Sequence, residues 1–251
     1  MLNKKQAYFI NSQGPEPESV KKAFRWLVQH SGGYVAVNGN AVLQGTVSDA
    51  IGESTVKALI KNGAVKINGK ELFLITERKP LYVGKGLPLI AIFPSAKFLD
   101  EVQSIPNIPA MLVVPWTREE VDPWIRTMNA KDLDAPNNAA PEELVKNKIV
   151  VQALKSLSVC VNKSTGIIHP SDRETAIETF TILRDAGITF NPEDVKAFLI
   201  REEDWKANYA QDVADLAQKV LERRKLQRGR MSHYRPEILE IWRKEALEDN
   251  K

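Results

Sequence analysis

Through the first 130 residues, short apolar runs alternate with segments whose apolar residues recur at helical spacing. This alternation is typical of a parallel β-sheet whose strands are joined by crossover helices. Strands are predicted at 6–10, 34–37, 65–67, 71–75, 89–93 and 110–114, and helices at 17–28, 48–60, 96–104 and 118–128. The runs 89–93 and 110–114 are apolar at every position, as expected of strands that are buried on both faces.

One pair of strands interrupts the parallel series. Residues 65–67 and 71–75 flank Asn68-Gly69, a dipeptide that readily adopts the positive φ angles of a type I′ turn. We therefore expect an antiparallel hairpin inserted in the sheet.

The second half of the chain has no convincing strand pattern. Residues 131–141 combine Asp, Asn, Ala and Pro without periodicity, which indicates a linker. Helices are predicted at about 142–161, 172–186, 192–200, 205–226 and 236–247. The predicted fold class is α/β, with a mostly parallel, Rossmann-like sheet and an inserted hairpin in residues 1–130, followed by an all-α C-terminal domain in residues 142–251.

Polar residues mark several helix beginnings. Two pairs have the spacing of a capping box, Thr117 with Glu120 and Ser171 with Glu174. Asn191 precedes Pro192, and proline is favoured in the first turn of a helix.

Composition excludes several classes of protein. With 43% hydrophobic and 27% charged residues, the chain is neither collagen-like nor wholly disordered. Its single cysteine, Cys160, cannot close an intramolecular disulfide, so a reducing, cytoplasmic location is expected. The longest apolar runs, 88–94 and 109–116, are far shorter than the roughly 20 residues that span a bilayer, so no membrane association is expected.

The sequence contains none of the short motifs of common enzyme classes. It has no P-loop, no Gly-x-Gly-x-x-Gly after the first strand and no Gly-x-Ser-x-Gly. Its three histidines are not spaced as metal ligands, and Cys160 lies in an apolar stretch that predicts a buried, inert thiol. We expect no cofactor and no metal, and the sequence leaves open whether the protein is an enzyme.

Polar residues follow the predicted parallel strands. In open α/β sheets ligands bind beyond the carboxyl ends of strands, and helix N-termini there can hold a phosphate. The candidate ligand-binding residues are Asn11, Ser12, Asn38, Asn40, Ser95, Lys97, Thr117 and Arg118. The alternative is that they are the turn and cap residues that any such fold requires.

A second polar loop lies between two predicted helices of the C-terminal domain. Lys163, Ser164 and Thr165 could bind an anion there, or could serve only to connect the helices.

Positive charge is concentrated near the C-terminus. Residues 219–235 contain seven basic residues and one acidic residue, whereas the whole chain has a net charge of only +3. The candidate nucleic-acid-binding or anion-binding residues are Arg223, Arg224, Lys225, Arg228, Arg230 and Arg235. They could follow a phosphate backbone, with Tyr234 available for stacking, or could form a solvated helix end.

The last predicted helix has an apolar stripe that includes Ile238, Ile241 and Trp242. The stripe could form a contact with a partner or a second copy of the chain, or could pack on the protein's own core.

Two functions follow from these patterns. The first is a non-catalytic binding or regulatory protein whose basic C-terminal helical region contacts nucleic acid or a partner protein. The alternative is an α/β enzyme that acts on a nucleotide or phosphorylated small molecule at the strand-end loops.

Overall fold

The computed structural model describes residues 5–135, 142–226 and 232–249. The chain divides into two compact units, Met1–Pro141 and Glu142–Lys251. The predicted fold class is confirmed, because a mostly parallel seven-stranded sheet with helices is followed by an all-helical region.

The strands of the first unit form one sheet. They are Gln6–Phe9 (β1), Gly33–Ala36 (β2), Ala64–Ile67 (β3), Lys70–Ile75 (β4), Leu89–Ile92 (β5), Ala110–Val114 (β6) and Lys131–Asp132 (β7). Their order across the sheet is β3-β4-β2-β5-β6-β1-β7, and every pair except β3–β4 is parallel. β7 includes the first two residues of the predicted linker, and residues 136–141 of that linker lie outside the described residues.

The inserted hairpin is present as predicted. β3 and β4 pair antiparallel, and Asn68 and Gly69 between them have φ angles of 50° and 78°. Both angles are positive, as a type I′ turn requires. The hairpin places β3 at one edge of the sheet.

Helices cover both faces of the sheet. They are Pro17–Gln29 (α1), Asn40–Val42 (α2), Ser48–Ile51 (α3), Glu53–Asn62 (α4), Ala96–Gln103 (α5) and Arg118–Met128 (α6), with a π-helical turn at Leu43–Val47. α1, α4 and the π-helical turn pack in one core cluster on one face, whereas α5 and α6 pack in a second cluster on the other. The single helix predicted at 48–60 is divided at Gly52, whose φ of 90° is not helical.

The helical unit contains five described helices around its own core. They are Lys148–Cys160 (α7), Pro170–Asp185 (α8), Pro192–Arg201 (α9), Ala207–Leu221 (α10) and Ile238–Glu248 (α11). Two buried indole N–H groups find side-chain partners there, since Trp205 donates to Ser158 at 2.9 Å and Trp242 donates to Ser156 at 2.8 Å. The core thus joins α7 to later helices through satisfied polar groups as well as apolar packing.

Of the predicted caps, Asn191 is confirmed, because its side chain accepts a hydrogen bond of 2.9 Å from the Glu193 N–H. The two predicted capping boxes are wrong. The Thr117 side chain makes no cap bond, and α8 begins at Pro170, with His169 rather than Ser171 at the N-cap. A proline pre-organises the first helical turn, which explains the earlier start of α8.

Among the residues that the structure describes, no helix combines the length and apolar character needed to cross a bilayer.

Lys5, just before β1, is largely buried. Its ammonium group donates to the backbone carbonyls of Gln103 and Ile105, and desolvation lowers its pKa from 10.5 to about 8. The folded protein therefore binds this proton less tightly than the unfolded chain does.

We predict that the free energy of unfolding rises between pH 8 and pH 10.5, the window set by the folded and ordinary pKa values of Lys5. The unfolded chain holds the proton in this window and the folded protein does not, so each rise in pH favours folding. Urea denaturation at pH 7.5 and pH 10.5 measures the change, and Lys5→Met should remove the contribution of this group. An identical pH dependence in the two proteins would contradict the assignment.

Candidate ligand-binding cleft

The loops after β2 and β5 are joined to each other by predicted ligand-binding residues. The Asn38 side chain donates to Ser95 Oγ at 2.7 Å and accepts from the Ser95 backbone N–H at 2.9 Å. The same amide nitrogen donates to Glu77 at 2.7 Å, and Ser95 Oγ caps α5 by accepting from Phe98. These polar groups therefore connect neighbouring loops at the carboxyl edge of the sheet.

The loops after β1 and β6 are joined in the same way. Ser12 is only 1% exposed, and its hydroxyl donates to the Pro115 carbonyl at 2.9 Å. The Gly14 N–H donates to the Trp116 carbonyl at 2.8 Å. The Ser12 hydroxyl thus serves to join the two loops.

The remaining strand-end residues differ in their surroundings. The Arg118 guanidinium lies 4.4 Å from the centre of the Phe9 ring and donates to Asp122 at 2.6 Å. Thr117 is half-buried beside it, whereas the other three are exposed, namely Asn11, Asn40 and Lys97. A role for any of them in ligand binding stays a prediction.

The loop after α7 also bonds internally. Lys163 donates to the Glu203 carbonyl at 2.7 Å and lies 3.2 Å from its carboxylate. Ser164 and Thr165 both donate to Asn162. Binding of an anion by these three residues stays a prediction, and it would compete with the bonds that order the loop.

The basic segment, defined as residues 219–235, is described only in part. Arg223, Arg224, Lys225 and Arg235 are exposed, and Arg224 pairs with Glu222. Arg228 and Arg230 lie outside the described residues.

Tyr234, expected to be available for stacking, packs on the helical core instead. Its hydroxyl lies 2.9 Å from Thr179 Oγ1, and its ring meets Trp242 edge to face at 5.5 Å between ring centres. Burial raises the pKa of this phenol well above its ordinary value. Of the stripe that could contact a partner or pack on the protein's own core, Trp242 is fully buried, while Ile241 is 37% exposed and Ile238 is half-buried.

Cys160, expected to be buried, is exposed. It is the last residue of α7, where Leu157 faces the core and Cys160 lies on the solvent side. Desolvation nevertheless raises its pKa, which disfavours the nucleophilic thiolate. Among the described residues, no group of three or more His, Cys, Asp or Glu side chains is placed to hold a metal ion.

A cleft of about 660 Å³ lies elsewhere in the α/β unit, among α1, the α3–α4 segment and the end of β3. α1 contributes Lys21, Phe24, Arg25, Val28 and Gln29. The last four of these residues lie three, four, seven and eight positions after Lys21, so all five share one face of the helix. Ala50, Ile51 and Thr55 line a second side, and Lys66, Ile67 and Asn68 line the third.

The cleft combines an apolar wall with positive charge. Phe24 is buried, and Val28, Ile51 and Ile67 are half-buried. Three described lining residues are cationic, Lys21, Arg25 and Lys66, and none is acidic. This combination suits a ligand with an apolar body and an anionic group.

Two of the three cations, Lys21 and Lys66, already lie beside carboxylates. Lys21 pairs with Glu18 at 2.5 Å, which lowers the pKa of that carboxyl, and Lys66 lies 3.7 Å from Glu71. Within the described part of the chain, Arg25 forms no hydrogen bond or salt bridge and is exposed, and it interacts with Glu18 only through charge. Its five guanidinium donors are therefore open to a ligand.

Sequence reasoning missed this cleft. The apolar periodicity of α1 identified the face that packs on the core. The signal for a cleft beside that face was the spacing of Lys21 and Arg25 next to Phe24 and Val28. That signal does not indicate that Lys66, about forty residues later in the chain, lies opposite.

Residues 146–243 match a family described as a domain of unknown function, DUF1889. The matched range begins just before α7, ends within α11 and includes the basic segment, while the α/β unit lies outside it. No curated protein and no solved structure is similar enough to the chain to match.

We predict that Ser12→Ala lowers the free energy of unfolding by about 1–3 kcal/mol, because the Pro115 carbonyl loses its donor in a buried site. Chemical denaturation measures the change. The matched control is Asn11→Ala, an exposed neighbour whose replacement should cost no more than about 0.5 kcal/mol. Equal stabilities of the two variants would show that the Ser12 bond does not hold the loops.

Proposed function

We propose that the protein is a non-catalytic binding protein whose α/β unit takes an acidic small molecule with an apolar part in the cleft. The observation that carries the proposal is the lining, which places three cations around an apolar wall without a described acidic residue. A volume of about 660 Å³ accommodates a ligand the size of a typical metabolite.

The chemistry of the lining favours binding over turnover. General acid–base and nucleophilic catalysis generally use His, Asp, Glu, Cys or an activated Ser, Lys or Tyr. None of the first four types is among the described lining residues, and the lysines present are solvated or paired with carboxylates. The cytoplasmic location expected from the single cysteine belongs to the same proposal.

We predict that the double variant Arg25→Ala/Lys66→Ala binds an aromatic sulfonate such as 8-anilinonaphthalene-1-sulfonate about tenfold more weakly than the unaltered chain. The loss of two cations near an anionic group accounts for a change of this size, since tenfold corresponds to about 1.4 kcal/mol. Fluorescence titration at several salt concentrations measures the affinity. Higher salt should weaken binding to the unaltered chain more than binding to the variant.

The matched control is Lys61→Ala/Lys70→Ala, which removes two exposed lysines of the same unit that do not line the cleft. Its affinity should stay within about twofold of the unaltered chain. Equal losses in the two double variants, or the absence of saturable binding, would contradict the proposal.

A second candidate function is contact with a polyanion through the basic segment. Arg223, Lys225 and Arg235 are exposed and form no salt bridge with a described residue, which supports this candidate. Arg223 and Lys225 lie just beyond the C-terminus of α10, where they also complement the helix dipole, whereas Arg235 precedes α11. Nucleic acid is the polyanion expected from the sequence, and a partner protein with an acidic surface is the other form of this candidate.

We predict that replacing Arg223, Arg224, Arg228 and Arg230 by alanine reduces the affinity for double-stranded DNA at low salt at least tenfold and flattens its salt dependence. Fluorescence anisotropy between 25 mM and 200 mM salt measures both effects. Lys146→Ala/Lys244→Ala, which removes exposed lysines elsewhere in the helical unit, is the control. No detectable binding at low salt, or no effect of the four replacements, would eliminate nucleic acid as the partner.

A further inference from the structure

Trp116 is an exception among the tryptophans of this protein. The chain has five, and Trp26, Trp124, Trp205 and Trp242 are all buried. Trp116 is 49% exposed at the carboxyl end of β6. An indole carries a large flat apolar surface, and about half of the Trp116 side chain faces water.

The backbone around Trp116 is fixed by three hydrogen bonds. The Gly14 N–H donates to the Trp116 carbonyl and the Phe93 N–H donates to the Val114 carbonyl, each at 2.8 Å. The buried Ser12 hydroxyl holds the intervening Pro115 carbonyl. Because these bonds hold the backbone in place, a ring that binds a ligand at this position loses less conformational entropy on binding.

Phe93, at the end of β5, supports the exposed indole. Its φ of 47° places it in the left-handed region, which is unusual for a bulky side chain and is associated with functional sites. The two rings meet edge to face, with centres 5.5 Å apart and planes 73° apart. This contact uses one face or one edge of the indole, so it is compatible with a second face that remains open to solvent.

The position of the pair in the sheet points to a ligand. β1 and β6 are neighbours, and the helices that follow them, α1 and α6, pack on opposite faces of the sheet. Such a divergence is where open α/β sheets form a crevice at the carboxyl ends of their strands. The exposed amide side chains of Asn11 and Gln13 lie in the loop after β1, on either side of the Ser12 anchor.

We propose that Trp116, supported by Phe93, is a stacking site for a planar heteroaromatic ring such as a purine base. A flat ring gains most from an open indole face, and the amides of Asn11 and Gln13 supply donors and acceptors for polar atoms at its rim. The site is distinct from the cleft among α1, the α3–α4 segment and β3, whose lining includes neither Trp116 nor Phe93. It does not depend on the function proposed for that cleft.

Adenosine tests the proposal, with ribose as the ring-free control, on the full chain. Titration of adenosine should give saturable quenching of tryptophan emission, since Trp116 is the exposed tryptophan, and should reduce its quenching by acrylamide. Trp116→Ala should weaken adenosine binding, measured by calorimetry, at least tenfold, whereas Trp116→Tyr should retain binding within about threefold because it keeps an aromatic face.

Tyr82→Ala is the matched control, because Tyr82 is an 81% exposed aromatic residue in the loop before β5, outside the proposed site. This variant should bind adenosine as the unaltered chain does. The proposal is overturned if ribose binds as well as adenosine, if Trp116→Ala and Tyr82→Ala behave alike, or if saturable binding is absent. It is also overturned if sedimentation shows that Trp116→Ala abolishes self-association while adenosine does not bind, since the indole would then be a contact between copies.

Discussion

Every residue of β2, β5 and β6 is buried, so the centre of the sheet has no face open to water. A strand that is buried on both sides must be covered by helices on both sides. Parallel pairing makes this cover available. Before each new parallel strand, the chain must cross back to the edge of the sheet where the previous strand began, and this crossover can form a helix that packs on the sheet. The placement of α1 on one face and of α5 and α6 on the other is the consequence.

Parallel pairing also gathers the carboxyl ends of six strands at one edge, where ligands bind in many open α/β sheets. Here polar side chains at that edge tie neighbouring loops together, as the Asn38–Ser95 and Ser12–Pro115 bonds show. The Ser12–Pro115 bond satisfies a buried hydroxyl that would otherwise lack a partner. The Ser12 bond holds the carbonyl of Pro115, the residue before Trp116, and the Asn38 bond holds the N–H of Ser95, two residues after Phe93.

The core of the helical unit combines apolar packing with hydrogen bonds between buried side chains. Its core gathers Trp205, Trp242 and the Tyr234 ring, and the indole N–H groups and phenol oxygen find serine or threonine partners. The match to DUF1889 falls within this unit, which associates the basic segment with the matched region and not with the cleft. Cations just beyond α10 are stabilised there by the helix dipole whether or not they also contact a polyanion.

The helices and strands of this protein follow largely from local sequence patterns. The apolar runs 89–93 and 110–114 predicted strands that are buried on both faces. Asn68-Gly69 predicted the hairpin, and Asn191 predicted a helix start. All three features depend on side-chain periodicity or backbone preference within a few residues. Contacts between residues that are far apart in the chain depend instead on tertiary packing. Lys66 lies across the cleft from Arg25, Tyr234 packs against Trp242, and Cys160 faces solvent because of how whole helices and strands are packed. Such contacts depend on strand order and helix orientation, which no short stretch of residues specifies.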